Sequence, residues 1–158
     1  MSDLDTLVRE LKSEKVQIIF SAIPDEVAIK VEKELAKEGF VVISHALVHR
    51  MDSDVPLVIP DVNSNHLSIL ESQNIGTGFL ISCSNCMVVP IALTLYPLYS
   101  NFDFSSVSII TEQSLSGGGR GMLSKGRNGI VIDSEIPGES QSVVRAVSYT
   151  HLTLPTKD

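Results

Sequence analysis

The chain has 158 residues, enough to bury one sizeable core, and its 43% hydrophobic and 20% charged content sets it apart from disordered chains. A formal net charge of -7 excludes the basic field of a nucleic-acid binder, so no nucleic-acid partner is expected. The most apolar stretch, residues 87–98, is too short to span a membrane and holds Pro90 and Pro97, and the charged opening MSDLDTLVRELKSEK has no signal-peptide core.

Leu4, Leu7, Val8 and Leu11 recur at helical spacing and predict a short amphipathic helix over residues 3–14. Residues 16–20 (VQIIF) form a compact apolar run of the kind found in buried parallel strands. Ser21-Ala22-Ile23-Pro24 turns the chain, and Pro24 suits the first position of a helix. Val27, Val31 and Leu35 give that helix an apolar stripe, and Gly39 ends it. Residues 40–44 read as a second buried strand, so a right-handed β-α-β crossover is expected.

Residues 54–60 (DVPLVIP) are extended, because a residue before proline avoids the helical region. Asn63 or Ser64 is placed to cap a short helix running to Gln73. Residues 74–78 (NIGTG) turn, and residues 79–82 (FLIS) make a third strand. A helix follows from about Met87 to Tyr99 with Pro90 early in it, and residues 107–111 read as another strand. Residues 116–129 hold six glycines, too many for a regular element. Alternating strands and helices define an α/β class.

Residues 147–156 (VSYTHLTLPT) resemble the translation of a transposon-end adapter used in DNA library preparation. They are set aside from fold reasoning, and the reading frame is expected to have run off the end of a DNA insert.

The chemical feature is Ser84-Asn85-Cys86 between a strand and a helix. A thiolate at a helix N-terminus is stabilised by orphan N–H groups and by the dipole. The same N–H groups can steady an oxyanion when the sulfur attacks a carbonyl. The bland alternative is a small core cysteine. The spacing Cys83-x-x-Cys86 also admits a redox pair, or half a zinc site completed by His45, His49 or His66. No second clear ligand pair stands in the sequence, so no metal is expected. Two cysteines this close fit a reducing cytoplasm better than a secreted disulfide framework.

FSAIP (residues 20–24), AKEG (36–39), RMDSDVPLVIPDVN (50–63), SNC (84–86) and EQSLSGGG (112–119) stand in one order along the chain. Together they resemble aspartate-semialdehyde dehydrogenase of the archaeal and fungal branch, over about two thirds of the sequence, and the long RMDSDVPLVIPDVN block makes the resemblance specific. It implies the C-terminal half of a Rossmann-type NADP-binding domain over residues 1–85, the start of an α+β catalytic and dimerisation domain over 86–146, and an adapter-derived tail over 147–158. The implied reaction turns L-4-aspartyl phosphate into aspartate semialdehyde with NADPH, on the route to lysine, threonine and methionine.

The resemblance also assigns roles. Cys86 is the nucleophile, Asn85 an active-site asparagine, and Gln113 the residue that orients the acyl group. Arg50 binds the substrate phosphate, a task suited to a bidentate, always-charged guanidinium. Ser21, Ala22, Gly117, Gly118 and Gly119 contact the NADP cofactor. Without the resemblance these residues read as turns, a surface arginine and a polar strand end. The implied partner is a small-molecule substrate, with no membrane partner, and a homo-oligomer is expected for the parent protein.

Three departures stand against the pattern. No Gly-rich phosphate loop occurs near the start. The family's histidine base belongs to a segment that this chain does not reach, and His151 lies in the tail. His45 stands where the family usually has asparagine, and residues 120–141 do not follow the family pattern. The 158-residue chain is therefore expected to be inactive by itself. Alternatives are a malonyl-CoA reductase, an N-acetylglutamyl-phosphate reductase, or a non-catalytic α/β binding module.

Overall fold

The amphipathic opening folds as α1 (Asp3–Ser13), with Asp3 and Asp5 in its first turn and Lys12 in its last, as the helix dipole favours. The computed structural model describes residues 3–103, 105–112 and 114–129; Gln113 and the tail 147–158 fall outside them. α1 closes through a bond from the Val16 N–H to the Leu11 carbonyl, with Lys15 at φ 56°. Val16 is thus spent on leaving the helix, and the first strand, β1 (Ile18–Ser21), starts two residues later than the apolar run does.

α2 (Asp25–Lys37) follows directly. It ends where Gly39 takes φ +98°, a conformation open to glycine without strain, and the Gly39 and Phe40 N–H groups close on the Ala36 and Leu35 carbonyls. The chain then runs through β2 (Val41–Ser44), a 3-10 turn (Leu47–His49), β3 (Leu57–Val58), α3 (Pro60–Asn63), a 3-10 helix (Ser64–Glu71), β4 (Phe79–Cys83) and α4 (Val88–Tyr99). α5 (Gly119–Arg127) is the last described helix.

All four strands are parallel, in the order β1-β2-β4-β3. Register sets side chains in ranks across the sheet. Ile19, Val42 and Leu80 align and point into the main core, where Leu35, Ala36, Phe40 and Val55 pack, flanked by Leu4, Val8 and Leu11. The neighbouring ranks, Ile18–Val41–Phe79 and Phe20–Ile43–Ile81, face the other way, and Phe20 is 77% exposed. Among the described residues β1 is therefore a sheet edge covered on one face only, not the fully buried strand its sequence implies. The last rank is Ser21–Ser44–Ser82, all buried, at the C-terminal ends of the strands.

Two devices hold β4 in place. Gln73 donates from Nε2 to the Asp54 and Leu80 carbonyls (2.7 and 2.9 Å) and accepts the Leu80 N–H at Oε1 (2.8 Å). Gly78 packs so closely on the end of α2 that a Cβ there would collide with the Phe40 and Ala36 carbonyl oxygens.

Several local expectations are corrected. The buried face of α2 is Ala28, Glu32, Leu35 and Ala36, with Val27 turned outward, so a charged residue sits inside the stripe. Asn63 does not cap the helix after it; its Oδ1 accepts the Ile59 N–H (2.7 Å) and its Nδ2 donates to the Leu57 carbonyl (2.9 Å). Residues 107–111 form no strand, because no described strand lies alongside to pair with them, and Ile110 is 90% exposed. The glycine-rich segment holds a helix after all. Arg120, Met122, Leu123, Lys125 and Arg127 favour helix strongly enough to outweigh its glycines, and Lys125 and Arg127 suit its last turn.

Candidate active site

Ligands of open parallel sheets sit beyond the C-terminal ends of the strands, where loops diverge. At that edge the 3-10 turn after β2 delivers Arg50. Its Nε donates to the Cys83 carbonyl (3.1 Å) and its Nη2 to the His45 carbonyl (3.0 Å). His45 follows the last residue of β2 and Cys83 is the last of β4, so the guanidinium lies across two adjacent strand ends. It is a partly buried arginine tied to the sheet, not a free surface one.

Three residues beyond Cys83, Cys86 is exposed in the turn leading into α4. Asn85 shapes that turn: its Oδ1 accepts the Met87 N–H (2.7 Å), and its carbonyl accepts the Val88 and Val89 N–H groups (3.0 and 3.1 Å). The first N–H groups of α4 are thus already bonded, and the expectation that they steady an oxyanion does not hold for them. Cys83 is half-buried, and burial pushes its thiol up while the Arg50 guanidinium partly offsets this. Of the two sulfurs, Cys86 has the access that a nucleophile needs.

Ser21 is buried at the end of β1, its carbonyl accepting the His45 N–H (2.9 Å), and Ala22 is exposed beside it. Gly117 and Gly118 lie in a 3-10 turn and Gly119 opens α5; no hydrogen bond among the described residues joins these three to the sheet edge. Gln113 lies outside the described residues. Arg50, Asn85, Cys86, Ser21 and Ala22 are thus carried at one end of one sheet, and the glycines are not linked to it.

The head of α2 does not fit a pyrophosphate. Its first turn carries Asp25 and Glu26, and Asp25 Oδ1 is occupied by the Leu47 N–H (2.9 Å). The exposed, small Ala22 beside Ser21 does fit the flat approach of a ring. No group of three His, Cys, Asp or Glu side chains among the described residues could hold a metal ion, and no described helix is long and apolar enough to cross a membrane. His49 and His66 are engaged elsewhere, with Asp52 and Asn63. Sequence reasoning missed Glu32 and His49 as a buried pair, because a charged residue between apolar ones reads as a solvated face.

A parallel α/β sheet of this order, with polar groups gathered at its C-terminal edge, defines a Rossmann-type nucleotide-binding unit. Residues 3–70 match the family model described as semialdehyde dehydrogenase, NAD binding domain. It is 40% identical over 120 residues to an aspartate-semialdehyde dehydrogenase of Archaeoglobus fulgidus, covering 74% of this chain and 35% of that one. It is 43% identical over 107 residues to a malonyl CoA reductase (NADP) of Metallosphaera sedula, covering 66% and 30%. The crystal structure of aspartate semialdehyde dehydrogenase II from Vibrio cholerae aligns with a TM-score of 0.59 and 27% identity, covering 76% of this chain and 36% of that one. The chain spans about a third of the length of these relatives.

Proposed function

We propose that the protein containing this segment reduces L-4-aspartyl phosphate to L-aspartate 4-semialdehyde with NADPH, through a thioester on Cys86. The observation that carries this reading is Arg50, held across the ends of β2 and β4 by the carbonyl of the strand that leads to Cys86. Cys86 Sγ attacks the acyl carbon, and phosphate leaves with the electron pair of its C–O bond. Arg50 is placed to take the phosphate as its charge develops. The N–H of Cys86 itself makes no backbone hydrogen bond among the described residues and is available to the developing oxyanion. Ser21 and Ala22 would hold the nicotinamide ring. When bound, that cofactor supplies the hydride that turns the thioester into the aldehyde. Residues 1–85 then belong to the dinucleotide-binding domain and 86–146 to the catalytic one, with Gln113 and Gly117 to Gly119 completing the site. The intact protein works in the cytoplasm as a homo-oligomer, in lysine, threonine and methionine biosynthesis.

A chimera tests this. Residues 16–119 replace the matching stretch of the Archaeoglobus fulgidus relative, and phosphate-dependent oxidation of aspartate semialdehyde is followed through NADP reduction. Turnover is expected, Cys86→Ala abolishes it, and Arg50→Ala raises the KM for phosphate roughly a hundredfold, the loss of a charge-assisted contact. A well-folded chimera without turnover on this substrate overturns the reading. The match to malonyl CoA reductase favours a second substrate, malonyl-CoA, whose thioester Cys86 would attack in the same way; turnover on malonyl-CoA alone selects it. The 158-residue chain assayed alone is expected to show no turnover above its Cys86→Ala variant.

A further inference from the structure

His49, the residue before Arg50, is 1% exposed, and Glu32 on α2 is fully buried against it. Neither takes part in the chemistry above. His49 Nε2 lies 3.2 Å from Glu32 Oε2, and His49 Nδ1 lies 3.2 Å from Asp52 Oδ2. Asp52 Oδ2 in turn meets Lys33 Nζ at 2.9 Å. The imidazole is therefore flanked by two carboxylates, one on each ring nitrogen. Lys33 faces the array from α2, and Arg50 follows it in the chain with its guanidinium turned to the strand ends.

Counting donors exposes the requirement. A neutral imidazole has one N–H and one lone pair. One nitrogen can donate, but the other then sets a lone pair against a carboxylate oxygen 3.2 Å away, in a fully buried setting on the Glu32 side and a partly exposed one on the Asp52 side. The Glu32 carboxylate has no aligned hydrogen-bond donor at either oxygen. One additional proton, shared between His49 and Glu32, removes the conflict. The turn that bears the strain of its loss is Leu47–His49, whose far end is pinned by the Leu47 N–H on Asp25 and whose near end is Arg50.

We infer that His49 is a positioning residue for Arg50, and that the Glu32–His49–Asp52 array keeps the guanidinium in its anion-gripping geometry only while it carries that additional proton. The inference rests on the reading of Arg50 as the anion anchor. It makes anion capture at the sheet edge responsive to pH through residues that never touch the anion.

The test uses the full 158-residue chain, with sulfate as probe because its charge is constant over the range studied. Sulfate affinity and the carbon-13 resonance of Arg50 Cζ are followed from about pH 5.5 to about pH 8. Affinity is expected to fall roughly tenfold as pH rises, the size of one misaligned contact to a charged group, and the Cζ resonance moves with it. In Glu32→Gln the amide donates to the ring nitrogen without an added proton, so both profiles flatten while affinity stays at the low-pH value. His49→Leu binds weakly at every pH. A purely structural role would lower melting temperature in both variants and leave the shape of the profile intact. Matching profiles in the wild type and Glu32→Gln, or an Arg50 resonance indifferent to pH, overturn the inference. Should Arg50→Ala leave sulfate affinity unchanged, the anchor reading fails, and the Cζ profile still decides the positioning. Should His49→Leu not fold, the wild type and Glu32→Gln decide it between them.

Discussion

The rank Ile19–Val42–Leu80 and the rank Ile18–Val41–Phe79 run side by side across the same three strands, one residue apart. The first is sealed by α1 and α2, with Val42 and Leu80 fully buried. The second stands largely open, with Ile18 53% exposed. Both are apolar, so composition does not separate them. The alternation of side chains along a strand assigns each rank its face, and the helices in the described residues supply one layer only. An apolar rank therefore shows that a face is built for burial without showing what buries it.

The sharpest way to break this comparison is to cut into the sealed rank. Leu80→Ala is expected to cost about 2–5 kcal/mol, from lost burial and the cavity left behind, read by urea unfolding of the 158-residue chain. Next comes the strap on the same strand. Gln73→Leu leaves the Leu80 N–H and two carbonyls without their partner and is expected to cost about 2–3 kcal/mol in the same titration.

A smaller effect is expected at Asp52. Burial works against its ionisation, but hydrogen bonds from Lys33 and His49 outweigh this and hold the carboxyl below its ordinary range. A lowered folded-state value contributes stability that is present above the ordinary carboxylate range and lost as pH falls through the folded value. Asp52→Asn should therefore shallow the acid limb of a stability–pH curve. The smallest change is expected on the open rank system. Phe20→Ser should alter stability by no more than about 0.5 kcal/mol and reduce the binding of a hydrophobic dye to the sheet. A Phe20→Ser penalty as large as that of Leu80→Ala would mean that the outer face is covered in solution.

Strand and helix periodicity made the order of elements legible, because residues 16–20, 40–44 and 79–82 are short apolar runs between turn residues and α2 closes at Gly39. Cooperative, long-range features were hidden. Residues 107–111 have strand composition, yet a ladder needs a neighbour, which composition does not supply. Nothing in the sequence marks Glu32 as buried, since its partner His49 lies seventeen residues on and only the crossover brings them together. At the site, motif order pointed to Arg50, Asn85 and Cys86, and the fold sets all three at one sheet edge. That Asn85 occupies the first N–H groups of α4 could not be read from Ser-Asn-Cys, because an asparagine side chain has several local partners to choose from.

Arg50 is seated by the carbonyls of residues 45 and 83, and a carbonyl is something every amino acid brings. The identity of the side chains at those two positions is thus uncoupled from the seat itself. Mutation can wander through both without unseating the arginine, provided the strands keep their path. His45 illustrates this: it meets Nη2 with its backbone oxygen alone. Residues 45 and 83 are accordingly where a library should be randomised to alter the mouth of the site while its cation stays put.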